Sequence, residues 1–248
     1  MVELSPPPHL DGPVAARIQS ALAASSVRVQ RVMVDGTPLW IKRVERPTLL
    51  RRLQKGNARA AFAAERAALG ALALAGAPVP AILAEGRDYY AVADGGPTLK
   101  AVLRDPAAPT AERARAFAAA GRALAALHAR GLSHGRPAVR DLCWDGRSIT
   151  FLDPESYAET RNTPAGHARD LVIMVSSILT VDAGATAEAA QALSAYRAAD
   201  PCGVADRARD WCRRHWWLSP LTAPLRLRGP GKAREFKAIP ATLAVFAA

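Results

Sequence analysis

Apolar and polar residues alternate with a period near two from residue 27 to 45, VRVQRVMVDGTPLWIKRVE, with Asp35-Gly36 at the centre. The pattern predicts two antiparallel strands around a tight turn, the second carrying Lys42. A short helix is predicted before them, Val14 to Ala24, and residues 1–13 are proline-rich and expected to be irregular. Residues 46–57 are basic and broken by Pro47 and Gly56, which suggests a loop or short helix. From Asn57 to Ala75 the period lengthens: Phe62, Leu69 and Leu72 recur near one helical face, and Gly76 ends the run. Pro78 and Pro80 mark a connection to two short strands, near 81–84 and 89–93, that end at Asp94-Gly95-Gly96-Pro97, the composition of a hinge.

Beyond the hinge the chain changes character. Ala111 to Arg130 reads as a long helix with Phe117, Leu124 and Leu127 on one side. An irregular polar loop over 133–140 follows, then strand candidates Leu142–Trp144 and Ile149–Leu152 around Asp145-Gly146. Helices are predicted over 165–180, 185–199 and 204–217. This order predicts an α+β fold: a small strand-rich part with one main helix over 14–95, then a larger, mainly helical part over 96–248.

Composition changes the picture in two ways. Half of the 248 residues are apolar, enough for a substantial core, and the formal charge is +11. The surplus predicts attraction to an anion, though an Ala/Arg-rich composition also follows from a GC-rich genome. Cys143, Cys202 and Cys212 have no zinc-like spacing and fit a reducing compartment. The N-terminus lacks the order of a signal peptide, and the apolar run Leu171–Val181 is too short to span a bilayer. The expectation is a cytoplasmic protein, with room for a peripheral role at a membrane.

The candidate chemistry lies in three places. Lys42, on an apolar strand, can direct an ammonium into a cleft against nucleotide phosphates; a lysine on an edge strand is more often only solvated. Glu65, on the following helix beside Phe62 and Leu69, could pair with it. Asp141 and Asp153 flank the strand–turn–strand of residues 142–152, twelve residues apart. A hairpin of that length brings its ends together, so both carboxylates could face one Mg²⁺, a cation that takes hard oxygen ligands. The alternative is two loop aspartates capping turns.

These segments resemble the protein-kinase-like superfamily, specifically the bacterial lipopolysaccharide-core (Kdo and heptose) kinase group. His134-Gly135 matches the start of the catalytic loop, Asp141 falls at the asparagine position, and Ile-Thr-Phe-Leu-Asp153 matches the metal-binding strand end. Upstream, Glu65…Gly76-Ala-Pro-Val-Pro80 and Tyr90…Asp94-Gly-Gly-Pro-Thr-Leu99 are similar, and Arg169-Asp170-Leu171 resembles the helix whose aspartate braces the loop. The resemblance covers residues 27–182. It implies a two-lobed kinase-like fold and an ATP- and Mg²⁺-dependent phosphotransferase whose acceptor is an anionic saccharide or glycolipid. Lys42, Glu65 and Asp94 would serve the nucleotide, Asp141 and Asp153 the metal, and Asp141 and Arg136 the catalytic loop. It places the protein in the cytoplasm, at or near the inner membrane, with nucleic acid an unfavoured partner.

Three departures stand out. Arg136 occupies the position of the catalytic aspartate, Asp141 replaces an asparagine, and Asp153-Pro154-Glu155 lacks the usual aromatic. No glycine-rich loop precedes Lys42. Loss of a general base typically lowers a rate by about 10²- to 10⁴-fold, so a pseudokinase that binds nucleotide without transferring phosphate is the competing expectation. His134 is expected to support the loop by bonding backbone near Asp153; His128, His167 and His215 are expected to be surface or core histidines. Trp211-Cys-Arg-Arg-His-Trp216-Trp217 could stack bases or dock on lipid, but closing a helical core is the favoured expectation. Leu225 to Lys237 is basic and flexible in composition: a solvated tail or an electrostatic contact.

Overall fold

The computed structural model describes residues 13–44, 58–200, 202–229 and 231–248. Of the irregular N-terminus expected over 1–13, all but Pro13, which opens a helix, lies outside the described residues, as does the loop or short helix expected over 46–57. The chain is α+β and divides into two compact units, Met1–Asp94 and Gly95–Ala248.

In the first unit, β1 (Val29–Val34), β2 (Thr37–Arg43), β3 (Ile82–Gly86) and β4 (Tyr89–Ala93) form an antiparallel sheet in the order β1-β2-β4-β3. The β1–β2 turn is tight because Asp35 and Gly36 both take positive φ, 48° and 78°, which matches the twist of the paired strands. Alternation along β2 then assigns its faces. Leu39 and Ile41 are buried with Ile18 of α1 (Pro13–Ala24), Val34 and Ala91. On the opposite face Lys42 stands in register with Tyr90, which packs with Phe62 and Leu69 of α2 (Ala58–Leu74).

The second unit holds α3 (Leu99–Arg104), α4 (Thr110–Ala129), the hairpin β5 (Leu142–Trp144) and β6 (Ile149–Phe151), and α5 (Pro164–Val181). Helices α6 (Thr186–Ala198), α7 (Val204–Arg214), α8 (Leu218–Leu221), α9 (Ala223–Arg226) and α10 (Arg234–Ala247) complete it. Helix α4 packs closely on α6 because Gly121 carries no side chain: a Cβ there would lie 2.1 Å from the Ala192 carbonyl oxygen. Helix α5 contacts α6, α7 and α10 and buries Leu171, Met174, Val175 and Ile178 among them. Among the described residues, no helix is long and apolar enough to cross a membrane.

Three expectations are refined or corrected. Within 225–237, residues 225–226 end α9 and 234–237 open α10, which buries Ala238, Thr242 and Phe246 at four-residue spacing, while 227–229 and 231–233 are non-helical and mostly exposed. The helix predicted to Trp217 stops at Arg214. Finally, the tryptophans do not close the core. Trp211, Trp216 and Trp217 are 38%, 67% and 44% exposed, because α7 buries its small residues Ala205, Ala208 and Cys212 instead.

Candidate functional site

In the first unit, β2 and α2 bring Lys42 and Glu65 together. Lys42 Nζ donates to Glu65 Oε1, and the Tyr90 hydroxyl donates to the same oxygen at 2.6 Å. Glu65 is buried, so its charge depends on these two donors, and the lysine stem is held in one direction by the pair. Asp94 lies four residues beyond Tyr90 along the chain, roughly 13 Å by strand rise, and accepts from Arg31 Nε at 2.9 Å. The ion pair with Arg31 positions the Asp94 carboxylate at the end of the sheet.

In the second unit, the loop of residues 133–141 is held from several sides. Asp170 of α5, 1% exposed, accepts from the His134 and Gly135 amides at 2.7 and 3.0 Å. Asn162 accepts from the Ser133 amide and hydroxyl at 2.8 and 2.9 Å, and Ser177 Oγ accepts from the Val139 amide at 3.0 Å. Gly135 has φ +90°, and a Cβ on it would lie 2.1 Å from the Ser156 carbonyl oxygen, so only glycine fits.

His134 Nε2 donates to the Leu152 carbonyl at 2.9 Å, which leaves Nδ1 to accept from the Arg136 amide at 3.4 Å. Burial lowers the His134 pKa, so the ring stays neutral in this tautomer. It ties the loop to the residue before Asp153.

The Leu152 amide donates to the Asp141 carbonyl at 2.7 Å and closes the base of the β5–β6 hairpin. Asp141 and Asp153 are thereby brought to one guanidinium: Arg136 Nη2 lies 3.9 Å from a carboxylate oxygen of each. Arg140 Nε approaches Asp141 at 3.4 Å. Burial raises the Asp141 pKa to about 6 and the Asp153 charge adds to the rise, against the opposing pull of Arg140 and Arg136. Asp153 takes left-handed backbone angles, φ 55° and ψ 58°, a conformation costing about 1 kcal/mol or more for a residue with a side chain. That turn aims its carboxylate toward Glu155, the two offering oxygens within 4.8 Å of each other.

Asp153 and Glu155 offer the hard oxygens that suit a divalent cation, with Asp141 reached through Arg136 rather than grouped with them; pattern reading passes over Glu155 because it counts there merely as a departure after Asp153. Arg136 stands between Asp141 and Asp153 and would have to turn aside for a metal to take both. A carboxyl titrating near 6 is also in the range of a general base. Asn162 and Ser177 were likewise missed; they sit far along the chain, and only tertiary packing brings them to the loop.

Beneath the loop, the rings of His128 and His167 stack at 4.3 Å, and His128 Nδ1 meets the Tyr196 hydroxyl at 2.6 Å. Burial holds the tyrosine protonated and, with the neighbouring His128, pushes His167 down to about 4. His128 Nε2 lies 3.6 Å from Asp170, so this pair underpins the residue that braces the loop. Both are core histidines. His215, by contrast, stacks on the exposed Trp211 at 4.2 Å.

No protein-family model matches the chain. The chain is 30% identical over 151 residues to an uncharacterized protein of Haemophilus influenzae, a match that covers 61% of this chain and 62% of that protein. The chain thus spans less than two thirds of that relative's length.

Proposed function

We propose that the protein is an ATP- and Mg²⁺-dependent phosphotransferase of the two-lobed protein-kinase-like fold, acting on a hydroxyl of an anionic saccharide or glycolipid. The observation that carries the reading is the braced loop and hairpin that bring Asp141 and Asp153 to either side of Arg136. Phosphoryl transfer asks a protein for positioned charge more than for covalent chemistry. Lys42, held by Glu65, supplies a cation for nucleotide phosphates. Asp141 and Asp153, with Glu155 near, supply oxygens for Mg²⁺, which when bound neutralises phosphate charge. In this reading Asp141 accepts the proton of the acceptor hydroxyl, which its raised pKa supports. The exposed tryptophans beside Arg213 and Arg214 suit a peripheral contact with the cytoplasmic face of the inner membrane.

The test is Mg²⁺–ATP affinity by calorimetry for the unmodified protein, Lys42→Ala and Asp153→Ala. Each variant is expected to weaken binding by at least tenfold, and unchanged affinity in both sinks the assignment. One observation favours a second reading. Arg136 already places a cation between the two carboxylates, as a pseudokinase would that binds nucleotide and transfers nothing. Measurable ATP binding with no phosphate released or transferred, and none gained in Arg136→Asp, would select that reading.

A further inference from the structure

Helices α3, α5, α7, α8 and α10, with residues 136–140, line a cavity of about 510 Å³ within the second unit. That is the size of a site for a single small ligand. Its walls are half-buried aliphatic side chains: Val172 and Ile173 of α5, Leu218 of α8, and Ile239 and Leu243 of α10.

Three of the hydroxyls in the wall donate to backbone carbonyls of their own helices; the fourth belongs to Ser176. Ser177 Oγ donates to the Met174 carbonyl, Thr180 Oγ1 to Ser176 and Thr242 Oγ1 to Ala238, each at 2.8 Å. Cys212 is inert, since burial pushes its thiol up to about 12. The remaining polar character is cationic: Lys100, Arg104, Arg136, Arg140 and Arg234 against the single carboxylate of Glu235.

Two of these cations are engaged, Arg136 and Arg140 both reaching Asp141. Among the described residues, Lys100, Arg104 and Arg234 form no ion pair. Lys100 and Arg104 stand one turn apart on α3, and Arg104 and Arg234 meet again at an adjoining cavity of about 310 Å³. Three cations without an ion pair thus line an aliphatic chamber, and at the adjoining cavity Arg104 and Arg234 are joined by Lys237 and Asp182. Such a surface is complementary to one kind of molecule, a hydrocarbon chain ending in an anion.

We propose that this cavity binds a single-chain anionic lipid, its chain against α5 and α10 and its phosphate or carboxylate at Lys100, Arg104 and Arg234. As a binding site it stands without the phosphotransferase reading. Any role as acceptor rests on that reading, through Arg136, which lines the cavity and lies 3.9 Å from both Asp141 and Asp153.

Dodecyl phosphate, titrated calorimetrically below its micelle concentration with no nucleotide present, tests the site. The unmodified protein is expected to bind it. Octyl phosphate, four methylenes shorter, should bind roughly 250-fold more weakly, since each buried methylene is worth about fourfold. Dodecanol and inorganic phosphate should each be at least tenfold weaker. Charge reversal in Arg104→Glu/Arg234→Glu, at exposed positions that leave folding intact by circular dichroism, should cost at least tenfold. Lys42→Ala should bind as the unmodified protein does, which separates this site from the nucleotide assignment.

The proposal is overturned if dodecyl phosphate does not bind, or if the charge-reversed variant binds it equally well. It is overturned too if dodecanol or free phosphate matches it. Loss of binding in Trp216→Ala/Trp217→Ala, with the charge-reversed variant unaffected, would mean adsorption to the exposed tryptophans and would also defeat it.

Discussion

Asp141 offers the sharpest test of the loop, because its burial makes its charge costly. Its pKa is pushed to about 6 in the folded protein, whereas an unfolded chain would show about 3.9. A rise of about 2 units corresponds to about 3 kcal/mol of differential stability. The native state takes up a proton as pH falls through 6, while the unfolded state does so only near 4. Asp141 therefore penalises folding above pH 6, and the penalty disappears as pH falls from 6 to 4. Asparagine keeps the shape and can still accept from Arg140, but carries no charge to desolvate. In metal-free buffer, Asp141→Asn is expected to be about 2–3 kcal/mol more stable than the unmodified protein at pH 8. At a slope of about 2 kcal/mol/M that is a rise of about 1 M in the urea midpoint. The gap should narrow through pH 6 and close near pH 4. A variant less stable at pH 8, or a gap that does not change with pH, would refute the argument that burial governs this carboxyl. If Asp141 serves Mg²⁺ as proposed, the same variant should also lose metal-dependent nucleotide affinity.

Lys42→Met removes one of the two donors that Glu65 has among the described residues and leaves its carboxylate buried, so chemical denaturation should show a loss of about 3 kcal/mol, largely recovered in Lys42→Met/Glu65→Gln. Equal loss in single and double variants would contradict this. Gly135→Ala forces a Cβ into the Ser156 carbonyl at an unfavourable φ and should destabilise by about 3 kcal/mol or more, whereas Gly146→Ala, in open space at a similar φ, should cost only about 1 kcal/mol in the same unfolding assay. His167 is held near 4 against about 6.5 unfolded, so it contributes stability above pH 6.5 that is lost as pH falls toward 4; His167→Phe should flatten that part of the stability profile, read by thermal melts. Because this trend opposes that of Asp141 in the same window, each is read as a difference between variant and unmodified protein.

Much of the local architecture was legible in the chain. The β1–β2 hairpin follows from alternation around Asp35-Gly36, and α4 and the β5–β6 hairpin from period and turn residues, because those signals act between near neighbours. The α+β class follows from their order. Local pattern could not say which polar groups share a neighbourhood. Lys42 and Glu65 are 23 residues apart and meet only because α2 packs on the sheet face that Lys42 shares with Tyr90. Asn162, Ser177 and Asp170 become supports of the 133–141 loop only through the packing of α5 and the segment before it. Exposure was equally out of reach: Trp216 and Trp217 look like core residues by type, yet α7 meets its neighbours through alanines and Cys212, and the indoles are left outside. Arg136 shows the difference most plainly. Its departure from the kinase-like pattern is written in the sequence, but that it reaches both Asp141 and Asp153 depends on a hairpin closed by one backbone hydrogen bond, from Leu152 to Asp141. Residue type and spacing determine which elements form; the burial and the charges that tune each group are set by elements distant in the chain, because desolvation and Coulomb interaction depend on position in space alone.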